Sequence, residues 1–123
     1  MKLGCIFCHV KGTLLAESKL SVAVLDSFPV SRGHALIVPR RHAVTIWEMT
    51  PEEYADAFML VREVKNVLLT RFEPQGFNVG VNCGEAAGQS VFHAHIHVIP
   101  RYTGDVPSPK GGIRNLMPGK GSY

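Results

Sequence analysis

Three histidines occupy every second position in the segment SVFHAHIHVIPR, which spans residues 90–101. They are His93, His95 and His97, half of the six histidines in the chain. Imidazole can bind a metal ion, move a proton or act as a nucleophile near neutral pH. Side chains two residues apart on a β-strand share one face. The spacing therefore predicts that the three imidazoles project together, opposite a row of apolar residues.

Three roles can be considered for this segment. A purely structural role accounts for one such histidine more readily than for three. A zinc ion held by all three is disfavoured, because His93 and His97 would lie about 13 Å apart along a strand, whereas zinc needs each nitrogen at roughly 2.0–2.1 Å. Nucleophilic catalysis fits better, since an imidazole can attack phosphorus through one nitrogen when an acceptor holds the proton on the other.

The loop just before the histidines, EAAGQS, carries groups that suit a phosphate substrate. Its small residues, including Gly88, allow backbone N–H groups to approach an anion. The amide of Gln89 and the hydroxyl of Ser90 can meet a bridging atom or a leaving group. The loop therefore favours phosphate chemistry at the neighbouring histidines.

Four segments with the apolar patterns of β-strands are available to hold these residues. Their ranges are 22–25, 34–39, 76–82 and 91–100. The first two are joined by turn-forming residues, which predicts a hairpin with a wide loop. The third is expected to place Phe77, Val79 and Val81 on one face.

One long helix is predicted for TPEEYADAFMLVREVKNVLLTRF, residues 50–72. Thr50 suits the N-cap, Pro51 the first turn, and Glu53 completes a capping box. The residues expected on its apolar face are Tyr54, Ala57, Phe58, Val61, Val64 and Leu68. Several strands with one long helix predict an α+β fold, in which the helix covers one face of a mainly antiparallel sheet of about five strands.

The chain of 123 residues is interpreted as one domain over residues 1–123, with a tail at about 102–123 that is rich in glycine and proline. The tail has no periodicity and is expected to be flexible or to lie against a partner.

The formal charge of +3 suits a small anionic substrate but is too small and too scattered for a nucleic-acid binder. No apolar run approaches the roughly 20 residues of a membrane span. We therefore expect no nucleic-acid or membrane partner, and a cytoplasmic protein with reduced thiols.

Residues 93–99, His-Ala-His-Ile-His-Val-Ile, match the signature of the histidine-triad (HIT) superfamily. The segments CIFC, VLDSFPVSRGHALIVPRRH and FNVGVNCGEAAGQSVFHAHIHVIPR extend the likeness over nearly the whole chain. The chain thus resembles the nucleotide-binding branch of that superfamily. The resemblance implies a HIT-like fold, a homodimer and a purine nucleotide or dinucleotide substrate. It also implies a hydrolase that cleaves at the α-phosphorus through a nucleotidyl-histidine and releases a nucleoside monophosphate.

The resemblance also assigns roles to individual residues. It makes His95 the nucleophile, oriented by the backbone carbonyl of His93, and places His97 on the phosphate oxygens. Ser90, with Gln89, would position the scissile bridge and the leaving group. The implied substrate-binding residues are Asp26, Ser27, Phe28, Asn82, Gly88, Gln89, Ser90 and His97. Asp26 would accept from the ribose hydroxyls, and Phe28 would either cover the base or belong to the core.

The pair of cysteines in CIFC is compatible by itself with a redox, zinc-binding or incidental role. The resemblance implies a structural zinc ion on Cys5, Cys8, His42 and His93, a chemically sensible tetrahedral set. It implies no catalytic metal. We expect His34 to lie on the surface or just behind the site, and not to be a ligand.

Two alternative functions remain open from the sequence. One is hydrolysis of a nucleoside phosphoramidate by the same residues. The other is a non-catalytic dimer that binds or senses a purine nucleotide. The segment PRYTGD resembles bacterial HIT proteins that hydrolyse dinucleoside polyphosphates. The chain end also lacks the tryptophan of the phosphoramidase branch. Both features favour a polyphosphate substrate.

Overall fold

The computed structural model of the chain describes residues 4–10 and 12–122. In this part of the chain, five strands form one antiparallel sheet in the order β1-β2-β3-β5-β4, which confirms the α+β fold. The strands are β1 (Leu14–Glu17), β2 (Ser21–Leu25), β3 (Ala35–Pro39), β4 (Gly76–Gly80) and β5 (Ile96–Arg101), and the long helix is α1 (Pro51–Phe72). Short 3₁₀ helices cover Ile46–Glu48, Glu85–Ala87 and Gly112–Leu116. No helix in the described residues has both the length and the apolar character that a membrane span requires.

The start of α1 follows the predicted capping box. The Thr50 hydroxyl accepts from the N–H of Glu53 at 3.1 Å, and the Glu53 carboxylate accepts from the N–H of Thr50 at 2.8 Å. Glu53 is buried and also pairs with Arg41, just beyond β3, at 2.8 Å. Hydrogen bonds from Arg41 hold the pKa of Glu53 below its ordinary value. This ion pair fastens the first turn of α1 to the end of β3.

The main core lies between α1 and one face of the sheet. The fully buried residues at this interface include Ala57, Leu60, Val64 and Leu68 of α1, and Ala35, Ile37, Ile96 and Val98 of the sheet. Phe58 is 42% exposed, so its predicted place on the buried face is wrong. It lies about 100° around the helix from Ala57, which carries it beyond the stripe that faces the sheet.

The position of α1 decides which apolar residues of the β4 segment are buried. Phe77 and Val81 pack against the core, but Val79, predicted on the same face, is 41% exposed. β4 is an edge strand, and α1 lies mainly across the other four strands. Val79 therefore has no helix above it, although it lies on the predicted face.

β1 is the one strand that the sequence patterns do not predict. Its four residues, LLAE, contain no β-branched side chain and are too few to show a period. The strand forms because it pairs with β2, with an irregularity in register near Leu14, and because Leu15 and Ala16 pack against the core. Tertiary contacts thus outweigh weak local preference here.

β5 begins at Ile96, five residues later than predicted. The ladder with β3 cannot continue past this point, because Pro39 of β3 has no N–H to donate and its carbonyl accepts from the ring of His93. His93 and His95 therefore precede the strand, and of the three histidines only His97 lies on it. The prediction that all three share one strand face is wrong.

Parts of the tail rich in glycine and proline contact the rest of this chain, although most of its residues are exposed. The expectation that it is flexible or bound to a partner stays a prediction. Arg101, at the end of β5, donates to both carboxylate oxygens of Asp105 at 2.8 Å. The Tyr102 hydroxyl donates to the carbonyl of Arg32 at 2.6 Å. The 3₁₀ helix Gly112–Leu116 lies beside β4.

Two adjacent leucines of α1 test the assignment of the core. Leu68 is fully buried and Leu69 is 40% exposed. Leu68→Ala should lower the free energy of unfolding by about 2–5 kcal/mol, because it leaves a cavity, whereas Leu69→Ala should cost less than about 1 kcal/mol. Urea denaturation measures both. Equal losses would contradict the proposed packing of α1.

Candidate active site and metal centre

His95 has one ring nitrogen fixed and the other free. It is 9% exposed, and its Nδ1–H donates to the backbone carbonyl of His93 at 2.8 Å. The proton of the neutral ring therefore lies on Nδ1, and the lone pair lies on Nε2. Among the described residues, none hydrogen-bonds to Nε2 of His95. This is the arrangement that an imidazole nucleophile requires.

His97 is oriented by His34, which is buried. Nδ1 of His34 accepts from the backbone N–H of Val30 at 3.1 Å, so the proton of His34 lies on Nε2. That N–H donates to Nδ1 of His97 at 2.9 Å, which places the proton of neutral His97 on Nε2. The ring centroids of His95 and His97 are 5.1 Å apart. The site thus offers a nucleophilic nitrogen and an N–H donor side by side.

Burial keeps the supporting histidines neutral. The pKa of His97 is lowered to about 4, chiefly by burial and also by the neighbouring His95 and His34, against the opposing effect of Asp26. Burial also lowers the pKa of His34, against the opposing effect of Asp26. Neutral rings preserve the direction of the hydrogen bonds that run from Val30 to His97.

Asp26, His34 and His97 lie close enough together to suggest a cation site. Nε2 of His34 bears a proton, however, and lies 2.9 Å from His97 and 3.5 Å from Asp26. It therefore offers these neighbours an N–H and not a lone pair. The cluster is better described as a hydrogen-bonded support for His97.

The loop between β2 and β3 holds the residues expected to contact a nucleoside. Oδ1 of Asp26 accepts from the backbone N–H of Phe28 at 2.9 Å, which fixes the carboxylate at the turn. Ser27 is exposed, and Phe28 is 88% exposed. Phe28 is thus not a core residue. Its other interpretation, as a cover for the base, stays a prediction.

Gln89 holds together the loop that presents Ser90. It is 3% exposed, and its Nε2–H₂ donates to the carbonyls of Val44 at 2.6 Å and Val91 at 3.1 Å. Its Oε1 accepts from the N–H of Gly84 at 2.8 Å. Both polar atoms of the Gln89 side chain are thus hydrogen-bonded within the protein, and its predicted contact with a substrate stays a prediction.

Gly88 adopts a left-handed conformation, φ 93°, that suits glycine. Its N–H donates to the carbonyl of Glu85 at 2.9 Å, and the N–H of Gln89 donates to Gly84 at 3.1 Å. These two N–H groups are therefore used inside the loop. A Cβ at Gly88 would meet no atom within 4 Å, so the space above the loop is open to a ligand.

Asn82 follows the end of β4, and Ser90 lies in the loop that leads to the histidines. Ser90 is exposed and lines a cleft of about 410 Å³, together with Cys5 and Phe92. β4 pairs Gly80 with His97, so Asn82 follows the strand toward the position of His95. The structure thus brings Asp26 to His34 and His97, and Ser90 to a cleft beside Cys5 and His42. That Ser90 and Asn82 also reach the reacting atoms stays a prediction.

A second cluster joins the N-terminal segment to the residues that follow β3. Its four members are Cys5, Cys8, His42 and His93, whose donor atoms all lie within 4.8 Å of one another. Nδ1 of His93 lies 3.4 Å from both sulfurs, and Nδ1 of His42 lies 3.1 Å from that of Cys8.

The donor chemistry of this cluster fits a closed zinc site. Two thiolates and two imidazoles are a common tetrahedral ligand set for zinc. Nε2–H of His93 donates to the carbonyl of Pro39 at 2.8 Å, which leaves its Nδ1 lone pair facing the sulfurs. Burial lowers the pKa of His93, in keeping with the neutral ring that a ligand needs.

Of the two places that the sequence allows His34, on the surface or just behind the site, the structure shows the second. The pairing of Leu36 with His97 brings the buried ring of His34 to His97. Phe7 is a residue of this region that the sequence patterns do not mark. Its ring lies 4.9 Å from that of His95 at an angle of 65°.

Residues 9–104 match the model of the HIT domain. The chain belongs to the HIT family. The HIT domain includes Asp26, Asn82, Ser90 and the three alternating histidines, but the matched range begins after Cys5 and Cys8.

Relatives of the HIT domain carry names from nucleotide chemistry. An adenosine 5'-monophosphoramidase of Schizosaccharomyces pombe is 42% identical over 104 residues, which cover 80% of this chain and 75% of that protein. A bis(5'-nucleosyl)-tetraphosphatase (asymmetrical) of the same yeast is 39% identical over 89 residues, 72% of this chain and 49% of that protein. At the family level these names support a nucleotide-hydrolysing enzyme.

Solved structures of HIT proteins share the fold. A HIT family protein from Bacillus anthracis is 38% identical, with a TM-score of 0.77 over 83% of this chain and 76% of that one. A zinc-bound histidine triad family protein from Mycobacterium smegmatis is 31% identical, with a TM-score of 0.79 over 86% of this chain and 81% of that one.

The depressed pKa of His97 predicts a loss of stability in acid. Below about pH 6.5 the unfolded chain protonates this ring, whereas the folded chain does so only near pH 4. Stability should therefore fall as the pH drops from 6.5 to 4, by about 2 kcal/mol for this group after allowance for solvent screening. His97→Gln should reduce that pH dependence, as measured by urea unfolding at several pH values.

His9 provides the matched control for this experiment, because it is an exposed histidine. His9→Gln should retain the pH dependence of the wild type. An unchanged dependence in His97→Gln would show that His97 is not held neutral by the fold.

Proposed function

We propose that this HIT protein is a hydrolase that cleaves nucleoside or dinucleoside polyphosphates at the α-phosphorus through a nucleotidyl intermediate on His95. The observation that carries the proposal is the hydrogen bond from Nδ1–H of His95 to the carbonyl of His93. It leaves the Nε2 lone pair for attack and stabilises the positive charge that the ring gains when Nε2 bonds to phosphorus.

The proposed reaction has two steps. Nε2 of His95 forms a bond to the α-phosphorus while the bond from phosphorus to the bridging oxygen breaks, and the Ser90 hydroxyl donates to that oxygen as it leaves. Water then attacks phosphorus, the nitrogen–phosphorus bond breaks, and a nucleoside monophosphate departs. Nε2–H of His97 donates to a non-bridging phosphate oxygen in both steps. Its tautomer, set by His34, supports this role.

Substrate binding is proposed for the residues around the histidines. Asp26 would accept from the ribose hydroxyls, since Oδ1 is used by the turn and Oδ2 is bound only weakly by His34 at 3.5 Å. Phe28, with Ser27, would cover a purine base, which the exposed ring favours. Asn82 and Gly88 would lie against the phosphates, with Gln89 as the support of Ser90.

We infer that Cys5, Cys8, His42 and His93 hold a structural zinc ion. The close approach of the four donor atoms supports this assignment, as does the zinc-bound relative from Mycobacterium smegmatis. When bound, the metal would join the N-terminal segment to the residues after β3 and before β5. The proposed chemistry has no step on the metal.

A homodimer is proposed from the resemblance to the family. β4 is an edge strand of the sheet and carries the exposed Val79, which supports pairing with a second copy at this edge, next to the 3₁₀ helix Gly112–Leu116. No nucleic-acid or membrane partner is proposed, since the small positive charge is explained by an anionic substrate.

A nucleoside phosphoramidate is the second candidate substrate. The relative named adenosine 5'-monophosphoramidase favours it. His95 would attack the same phosphorus, and an amine would leave in place of a phosphate. A non-catalytic nucleotide sensor is the candidate of a different class, and it predicts binding without turnover.

Removal of the nucleophile tests the mechanism. His95→Asn should lower kcat at least about 10³-fold on both diadenosine tetraphosphate and adenosine 5'-phosphoramidate, because no covalent intermediate can form. Release of AMP, followed by chromatography, measures this. His9→Asn should keep wild-type rates, and full activity in His95→Asn would refute the mechanism.

The wild-type rates in that experiment also rank the substrates. Faster release from the polyphosphate supports the main proposal, and faster release from the phosphoramidate supports the second candidate. Tight binding of both with no release of AMP would favour the sensor.

Metal analysis tests the zinc assignment. Purified protein should contain about one zinc ion per chain, and Cys8→Ser should lose most of it because a soft thiolate ligand is gone. Cys83→Ser should retain the metal, since Cys83 lies outside the cluster. Elemental analysis measures the content, and wild-type protein without zinc would overturn the assignment.

A further inference from the structure

We propose that Phe7 is a positioning residue for His95, and that closure of the metal centre by Cys5 and Cys8 seats it there. The proposal rests on the proposed role of His95 as the nucleophile. It adds a function for the metal centre, which would then act on catalysis through a single aromatic side chain.

Phe7 lies between the two thiols in sequence and between the two centres in space. Its ring makes an edge contact with that of His95, with centroids 4.9 Å apart and an angle of 65°. It also meets the ring of His93, a metal-centre residue, at 6.3 Å and 88°. Phe7 thus contacts the proposed nucleophile and one proposed ligand of the metal.

The ring of Phe7 restrains the ring of His95 in a way that the hydrogen bond from His95 to His93 cannot. The bond from Nδ1–H to the carbonyl of His93 fixes one atom of the ring, but the plane can still tilt about that bond. The ring of Phe7 and that of His97, 5.1 Å away at 64°, both limit this tilt. When the plane of the His95 ring is fixed, its Nε2 lone pair points at phosphorus. A small misalignment of a nucleophile lowers the reaction rate strongly.

Among the described residues, apolar packing and the cysteine links to the metal cluster hold the segment that carries Phe7. Residues 4–10 belong to no helix or strand, and the backbone bond found within them joins Cys8 N–H to Cys5 O at 3.3 Å. Phe7 and Val10 pack on a small apolar cluster, Val24, Leu36 and Val38, on the sheet face away from α1. The two cysteines link the segment to His42 and His93.

Loss of the metal should therefore free Phe7 before it disturbs His93. The ring of His93 keeps its own bond to the carbonyl of Pro39 at 2.8 Å, whereas the side-chain contacts of Cys5 and Cys8 described above run to the two histidines of the metal cluster. The expected result is a folded protein whose nucleophile is present but poorly aimed.

Substitution of Phe7 gives the first test. In zinc-loaded protein, Phe7→Leu keeps an apolar side chain but removes the ring, and should lower kcat about 10- to 100-fold with little change in KM. Phe7→Tyr keeps the aromatic ring and should retain most of the wild-type kcat. Val10→Ala removes packing from the same apolar cluster without touching His95, and should change kcat less than about threefold.

The changes in kcat and KM distinguish a positioning role of Phe7 from direct contact with the substrate. A rise in KM with kcat unchanged in Phe7→Leu would mean that Phe7 touches the bound nucleotide and does not aim the nucleophile, which overturns the proposal. Equal kcat in Phe7→Leu and the wild type would also overturn it. Zinc content is measured in each variant, so that a loss of metal is not mistaken for a loss of positioning.

A spectroscopic test needs no turnover. The hydrogen-bonded Nδ1 proton of His95 should give a resolved ¹H NMR signal in zinc-loaded wild type, assigned by its absence in His95→Asn. The signal should broaden or disappear in Phe7→Leu and in metal-free wild type, but persist in Val10→Ala. Its persistence in metal-free protein would refute the link to the metal centre. Failure of the proposed function would instead appear as activity retained by His95→Asn.

Discussion

The peptide and side chain of His93 connect the two centres of this protein. Its carbonyl accepts from Nδ1–H of His95, its Nε2–H donates to the carbonyl of Pro39, and its Nδ1 faces the thiols of Cys5 and Cys8. The residue is fully buried, so any polar group left without a partner would carry a large desolvation cost. Satisfying all three groups fixes the position of the backbone from which His95 projects.

Pro39 makes this arrangement possible by ending the β3–β5 ladder. Proline has no N–H to donate to the neighbouring strand, and the N–H of Ala94 donates to the carbonyl of Ala43 at 2.7 Å instead. The carbonyl of Pro39 accepts from the ring of His93, where the chain bends before β5. The bend separates the three histidines: His93 enters the metal cluster, His95 stands at the bend, and His97 lies on the strand. Regular strand geometry would have placed three equivalent rings on one face.

The two faces of the sheet divide the work between stability and chemistry. One face packs under α1 with apolar side chains and is closed to solvent. The other carries the small apolar cluster with Phe7 and the hydrogen-bonded pair of His34 and His97. Burial on this second face lowers the pKa of His97 and keeps its ring neutral. The hydrogen bonds can then run in one direction, from the N–H of Val30 through His34 to His97.

Local patterns in the sequence determined much of the architecture. The capping box of Thr50 and Glu53, the apolar runs of β2, β3 and β5, and the HIT signature predicted the helix, most of the sheet and the family. They did so because caps and periodicity act over a few residues. They failed for β1, which has little intrinsic preference, and for Phe58, whose burial depends on where the sheet lies.

Only the tertiary structure gave the three histidines different surroundings. Donor and acceptor partners come from distant segments: Pro39 for His93, and His34 for His97. The close approach of Phe7 to His95 likewise joins residues 88 positions apart in the chain. A sequence states which side chains are present. Contacts that form only when the chain has folded decide which nitrogen of each histidine bears the proton. They also decide which neighbouring ring restricts the tilt of the His95 ring.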